Sequence, residues 1–486
     1  MGSYSQWKQM PLGGVWREGN SDSYYENKNP YNNELLVRIK LANNEDIDEA
    51  FFVANKVQKE WAQTTAEERS KVMLKAIKLF EERREEFAKI LVEESGSTIK
   101  KANFEIDTAL RYIKEASEFP FKMESETLDS TIKGKKNKIF RIPVGIVSVI
   151  TPWNFPFNLA IRSVAPALAT GNAVILKPDN QTAISGGSFI AKVFEDAGVP
   201  KGLISVIIAD LKEIGDAVIE HPLANVVSFT GSSKAGKHIA SVASKHLKKA
   251  TLELGGNNAF VVLDDADLDK AVSASIFGKF MHQGQICMSI NRIIVDRKVS
   301  NEFISKFKSK VEKLTTGDPM SNETNIGPLI NKNQINQVNR LVQTSIEEGA
   351  TVVVKGDVKN NTISPWVLTD VTSEMTIAQE EIFGPIAVII PVDGEEEAIR
   401  VANDTKYGLV GSVFTEDINR GLAFAEKMDC GMFHINDATV NSEPGVPFGG
   451  EKDSGLGRHG GEWSIDEFTT VKWVSIQNEA RNYPLA

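Results

Sequence analysis

The feature that most constrains this chain is a rhythm: short, mostly apolar runs recur between longer amphipathic stretches. Residues 145–150, 172–176, 204–208, 226–229 and 250–254 are too short for helices and rich in β-branched side chains. Runs of that kind read as strands buried on both faces, the condition of a parallel sheet covered by helices. Helices fit between them at 157–169, 182–197, 212–220 and 233–245. The pattern is that of a doubly wound α/β fold, whose ligands bind beyond the carboxyl ends of the strands.

A second α/β set begins near Ala259, with strands at 260–263, 352–354, 386–390 and 411–414 and a helix capped by Asp267. Upstream, helices are expected at 46–61 and 66–95, the latter with Thr65 as N-cap and Gly96 as stop. Two segments stand outside both sets. Residues 122–143 are polar, Lys-rich and alternating, as in a projecting hairpin, and 469–477 form a lone alternating strand. Such strands need partners, so they should pair with each other or with a neighbouring subunit. A chain of 486 residues exceeds one compact core, and two or three domains are expected.

The net charge of −10 argues against nucleic acid, which requires a positive field. Lys133, Lys135, Lys136 and Lys138, around Gly134, read as a solvated hairpin edge. No signal peptide is expected at the N-terminus, and no apolar run approaches the ~20 residues of a membrane span. Two cysteines cannot frame a disulfide scaffold and suit a reducing cytoplasm. The six histidines are scattered without metal-ligand spacing, so no metal centre is expected.

Two motif matches fail on inspection, and a third motif is missing where it would be needed. Residues 231–237 (GSSKAGK) mimic a phosphate loop, but His238 stands where a Mg²⁺-binding hydroxyl is required. Asp265, Asp267 and Asp269 start like a calcium loop, with Lys270 at the turn-glycine position and Ile276 at that of the bidentate Glu. No G-x-G-x-x-G follows any strand, so a nicotinamide cofactor would be held by other means.

Two residues carry candidate chemistry. Cys287, in FMHQGQICMSINR, is either a nucleophile or an inert buried thiol. Glu253, in LELGGNN, is either a base raised in proton affinity by an apolar cleft or a solvated strand end. Cys430, in AEKMDCGMF, reads as a small buried hydrophobe.

Seven motifs together resemble the aldehyde dehydrogenase superfamily: TPWNFP (151–156), ALATGNAVILKPD (167–179), FTGS (229–232), LELGGNN (252–258), GQIC (284–287), EEIFGP (380–385) and PFGGEKDSGLGR (447–458). They occur in the family's order, with Glu253 and Cys287 34 residues apart as in the family, and span essentially the whole chain. The resemblance implies a cofactor domain of residues 1–121 and 144–253, a catalytic domain of 254–455, and a small β oligomerisation arm of 122–143 and 456–486. It implies that Cys287 attacks the aldehyde as a thiolate. Asn154 and the Cys287 backbone N–H would hold the oxyanion, and Glu253 would activate the water that hydrolyses the thioester.

The same resemblance puts Thr151, Pro152, Trp153, Lys177, Asn180, Gly231, Ser232, Leu254, Gly255, Glu381 and Phe383 around NAD or NADP. Most NAD-preferring members carry Lys-Pro-Ser-Glu where this chain has Lys177-Pro178-Asp179-Asn180, so use of both cofactors is expected. The KPDNQT run and residues 435–450 are closest to the benzaldehyde, vanillin and salicylaldehyde branch. That implies an aromatic aldehyde, with Phe155, Asn158, Arg162, Met281 and Phe448 as candidate substrate residues, and a homodimer or homotetramer. The alternatives are a broad-specificity aliphatic or semialdehyde dehydrogenase, a non-catalytic scaffold and a cofactor-independent thiol esterase. A CoA-acylating enzyme generally lacks the base that Glu253 supplies.

Overall fold

The computed structural model describes residues 4–484; residues 1–3 and 485–486, at the ends of the expected cofactor domain and arm, lie outside the described residues. A six-stranded sheet runs in the order Gly455–Leu456, Lys249–Glu253, Val226–Thr230, Ile146–Ile150, Ala173–Lys177, Ile204–Val206. All its neighbours pair in parallel except Gly455–Leu456, which is antiparallel to Lys249–Glu253. The expected strands are therefore present within one or two residues of their predicted bounds. Ile146–Ile150 and Ala173–Lys177 are almost wholly buried, as two-sided helix cover requires.

A second sheet has seven strands, ordered Thr351–Val354, Trp366–Thr369, Ile386–Val392, Ile290–Asp296, Asn258–Val262, Val410–Phe414, Met432–Ile435. The sequence reading lacked Ile290–Asp296, Trp366–Thr369 and Met432–Ile435. The first of these, INRIIVD, is completely buried and central, and carries Asn291 and Arg292 inside. Its polar residues concealed it: Arg292 is held by the carbonyls of Asn257, Val401 and Ala402 at 2.7–2.9 Å.

The two outlying segments do pair with each other. Thr469–Gln477 runs antiparallel to Lys135–Pro143, which pairs in turn with Glu126–Asp129. Only this part of the C-terminal segment joins that sheet. Gly455–Leu456 extends the six-stranded sheet and the Gly461–Phe468 helix packs on the Pro156–Ala169 helix, so 456–468 sit outside the arm expected for them.

Three helix readings change in detail. The stretch 66–95 starts with the expected capping box (Thr65, Glu68) and ends at left-handed Gly96, but breaks at Arg83, whose φ of −109° and ψ of 17° are not helical. Its guanidinium lies 4.2 Å over the Phe189 ring, a tertiary contact with no local sequence signal. The stretch 212–220 is two single turns divided at Gly215, where φ is 54°. The stretch 182–197 opens with a 3₁₀ turn and a π turn, Ile184–Ser188, before the α-helix Phe189–Ala197. The buried Glu94 carboxylate accepts hydrogen bonds from the Ile184 and Ser185 N–H groups at 3.1 and 2.7 Å, satisfying the opening amides of that turn. No helix of the described residues is long and apolar enough to cross a membrane.

Candidate active site

Parallel register places the key residues side by side. Thr230 lies opposite Glu253 and Ile150 opposite Lys177, so TPWNFP, FTGS and LELGG all leave the six-stranded sheet at the carboxyl ends of its strands. Across from them is the loop between the Leu268–Phe280 helix and the Ile290–Asp296 strand, which carries Cys287.

That loop is tightly specified. His282, Gln283 and Gly284 are consecutively left-handed, with φ of 48°, 57° and 73°. For the two non-glycine residues this costs about 1–3 kcal/mol each and persists only under tertiary constraint. The constraint is visible: Gln283 Nε2 donates to Pro328 O at 2.8 Å, and Gln285 Oε1 accepts from Ile330 N at 3.0 Å. Asn258 Nδ2 donates to the carbonyls of Cys287 and Ser289 at 2.7 and 2.8 Å. A Cβ on Gly256 would lie 2.6 Å from Cys287 O, so only glycine permits that approach.

The Cys287 thiol sits where two cavities meet. One, of about 470 Å³, is lined by Phe104, Phe155, Asn158, Arg162, Phe277, Val440 and neighbours. The other, of about 290 Å³, is lined by Pro152, Trp153, Thr230, Gly231, Ser232, Leu254, Gly255, Gln334, Gln337, Glu381 and Phe383. Asn154, Leu159 and Cys287 line both. Asn154 Nδ2 gives one hydrogen to Gln285 O at 3.0 Å, leaving its second N–H free, and Oδ1 has no partner.

Glu253 is buried at its strand end with neither carboxylate oxygen hydrogen-bonded. Desolvation pushes its pKa up to about 8 against the opposing pull of Arg162 and Arg458. Burial likewise pushes the Cys287 thiol up to about 12, with Arg162 acting against it. The Arg162 cation thus lowers the proton affinity of both groups. It is buried with Nε and Nη2 unpartnered, makes no ion pair among the described residues, and stacks 3.6 Å over the Phe448 ring.

The remaining candidates divide. Trp153 and Phe383 meet edge-on at 5.5 Å in the smaller cavity, and Glu381 Oε1 accepts from Gly256 N. Thr151, Lys177 and Asn180 do not line that cavity. Lys177 is buried, its Nζ 3.3 Å from Pro178 O, and Asn180 Nδ2 donates to Ala209 O at 3.0 Å. Asp179 caps the following turn by accepting from Gln181 N at 2.8 Å, rather than facing outward. Met281 and Phe448 are not walls of the larger cavity. Met281 lines a neighbouring hollow of about 340 Å³, and Phe448 is the platform beneath Arg162. Cys430 Sγ donates to Met432 O at 3.0 Å and lines neither cavity.

Residues that sequence reasoning missed include Gln334, whose Nε2 holds Phe383 O at 2.9 Å, and the buried pair Lys101 and Glu105. The pair had a signal: 101, 105, 108 and 112 form one stripe of the Ile99–Ala116 helix, all buried.

A profile of the aldehyde dehydrogenase family matches residues 16–474. The chain belongs to the aldehyde dehydrogenase family. This aldehyde dehydrogenase is 48% identical to a benzaldehyde dehydrogenase of Bacillus subtilis over 484 residues, covering 100% of both chains. It is 47% identical to a vanillin dehydrogenase of Corynebacterium glutamicum over 96% of this chain and 97% of that one. Among solved structures, an NAD-dependent benzaldehyde dehydrogenase from Corynebacterium glutamicum superposes with a TM-score of 0.90 at 44% identity, covering 99% of this chain and 98% of that one. The chain is accordingly an oxidoreductase that converts aldehydes to carboxylic acids.

Proposed function

We propose that the enzyme oxidises aromatic aldehydes with NAD⁺ or NADP⁺ through a thioester on Cys287. The observation that carries this is the shared wall: Cys287 and Asn154 border an aromatic-lined cavity on one side and a glycine-lined one on the other. The smaller cavity suits the nicotinamide end of a dinucleotide whose adenosine end would lie beyond it. A Cβ on Gly255 would lie 2.5 Å from Glu381 Oε2, so only glycine lets that carboxylate sit against the backbone at the cavity wall. Ser232 caps the 13-residue Ser233–Lys245 helix, whose N-terminus suits a pyrophosphate. Thr151 Oγ1 and Asn180 Oδ1 are buried without partners. Pro152, Trp153, Gly231, Leu254, Glu381 and Phe383 would surround the nicotinamide half, with Lys177 and Asn180 toward the adenosine ribose. When bound, the nicotinamide accepts the hydrogen and electron pair that leave the aldehyde carbon.

The chain's own residues do the rest. The Cys287 thiolate adds to the carbonyl carbon, and the oxyanion accepts hydrogen bonds from the free Asn154 amide N–H and the Cys287 backbone N–H. After oxidation, Glu253 takes a proton from water as that water attacks the thioester, and the thiolate leaves. Arg162 offsets the negative charge that passes over this site. Residues 1–121 and 144–253 would form the cofactor domain, joined by 456–468, and 254–455 the catalytic domain. Residues 122–143 with Thr469–Gln477 would be the arm joining subunits of a homodimer or homotetramer, consistent with Trp473 left 63% exposed on it. The enzyme would work in the cytoplasm, where free thiols stay reduced.

Substrate choice follows from the larger cavity. A phenyl ring buries roughly 80 Å² more apolar surface than a methyl, worth about 2 kcal/mol, so benzaldehyde should exceed acetaldehyde about thirtyfold in kcat/KM. A ring hydroxyl can accept from Arg162, and Arg162→Met should lower kcat/KM for hydroxybenzaldehydes about tenfold more than for benzaldehyde. A preference for acetaldehyde, or equal losses for both aromatic substrates, would refute this.

Cofactor choice follows from Asn180. A Glu there would repel the 2′-phosphate of NADP by ~1–4 kcal/mol at about 4 Å, whereas Asn180 is neutral and Asp179 is occupied in capping. NADP⁺ should therefore be used within about tenfold of NAD⁺, and Asn180→Glu should raise the KM for NADP⁺ alone. Thousandfold discrimination by the native enzyme would contradict it.

A further inference from the structure

Lys101 and Glu105 are an ammonium–carboxylate pair with almost no exposure, Nζ standing 2.5 Å from Glu105 Oε2. Such a pair is a weak stabiliser, because desolvating two charges costs about as much as their attraction returns. Its outward bonds all go to one place. Lys101 Nζ donates to Asn154 O at 2.7 Å and lies 3.9 Å over the Phe155 ring. Glu105 Oε1 accepts from the Phe157 and Asn158 N–H groups at 2.9 and 3.1 Å. Those are first-turn amides of the Pro156–Ala169 helix, which has no side-chain cap of its own at Phe155. The pair therefore grips 154–158, the segment that lines the larger cavity with Asn154, Phe155 and Asn158.

We propose that Lys101 is a positioning residue for the oxyanion-binding amide of Asn154. Asn154 is held at two points: its carbonyl by Lys101 and its side chain by Gln285 O. With the carbonyl bond absent, the peptide can rotate and the free N–H no longer meets the oxyanion at a fixed distance. Chemistry that depends on the oxyanion should then suffer, while chemistry at the thiol alone should not. The inference rests on the function proposed above.

Lys101→Met alone strands a buried carboxylate and endangers folding, so the test is the charge-balanced double variant Lys101→Met/Glu105→Gln. The Gln amide oxygen can still accept from Phe157 and Asn158. Its single-turnover burst of NADH with saturating benzaldehyde should fall at least about tenfold. Alkylation of Cys287 by iodoacetamide, which forms no oxyanion, and NAD⁺ affinity should each stay within about twofold. Glu105→Gln alone keeps the bond from Lys101 to Asn154 O, since a buried amine deprived of its carboxylate can shed its proton and still donate, and with a native-like Tm it should retain a burst within about threefold of native. A double variant with a native burst but a lowered Tm would make the pair merely structural and overturn the proposal. So would equal loss in Glu105→Gln alone, or a parallel loss of alkylation. Failure of the native enzyme to form any NADH from benzaldehyde would instead refute the functional reading itself.

Discussion

Cys287→Ala is expected to lower aldehyde oxidation by about 10⁴-fold or more, while Cys430→Ala stays within about twofold of native. The chain has two thiols and both are raised by burial, Cys287 to about 12 and Cys430 to about 11, so acidity alone does not separate them. Position does. Cys287 opens onto both large cavities beside the free Asn154 N–H, whereas Cys430 spends its hydrogen on Met432 O. Cofactor binding should survive Cys287→Ala, since the smaller cavity keeps all its other walls. Steady-state rates and NAD⁺ titration of both variants check this, and reversed effects would refute the assignment. The high pKa adds a pH signature. Alkylation of the cofactor-free enzyme should be slow at pH 7 and rise about tenfold per unit toward pH 10, because only the thiolate reacts. Arg162→Met should slow it further, having removed the cation that favours the thiolate.

Glu253→Gln should preserve the first-turnover burst and lower steady-state turnover by about 10²–10⁴-fold, with acyl-enzyme accumulating on Cys287. The amide keeps the shape of the carboxylate but cannot take a proton from water. The native enzyme should show the same step in its pH profile. Glu253 is pushed up to about 8, so about one tenth is ionised at pH 7. A base acts in its ionised form; deacylation therefore rises with pH, about tenfold from pH 7 to a plateau above 9, and falls as pH drops. Mass spectrometry of the trapped thioester and burst kinetics test both parts. If the burst disappears together with turnover, Glu253 also activates the thiol.

Much of this is legible in the amino-acid sequence. The parallel strands of the six-stranded sheet announced themselves because helices cover both faces and leave few polar positions. The seven motifs named the residues at their carboxyl ends, and Thr65, Gly96 and Asp267 behaved as local capping chemistry dictates. The missed central strand and the missed buried pair share one physical cause: polar side chains satisfied by partners distant in the chain. Ile290–Asp296 did not read as a core strand because Arg292 finds its carbonyl acceptors more than a hundred residues away in two of three cases. Lys101 and Glu105 carry only an i,i+4 spacing that a solvated pair shares, and the packing of their helix against TPWNFP turns them inward. Met281 and Phe448 were the right kind of residue in the wrong place, since a loop of left-handed residues and a stacked guanidinium decide which surfaces face the cavity. Residue type and spacing along the chain determined the chemistry available here. Which groups are dry, unpartnered and within reach of Cys287 was decided by tertiary structure alone, because desolvation and hydrogen-bond satisfaction depend on neighbours that are not adjacent in sequence.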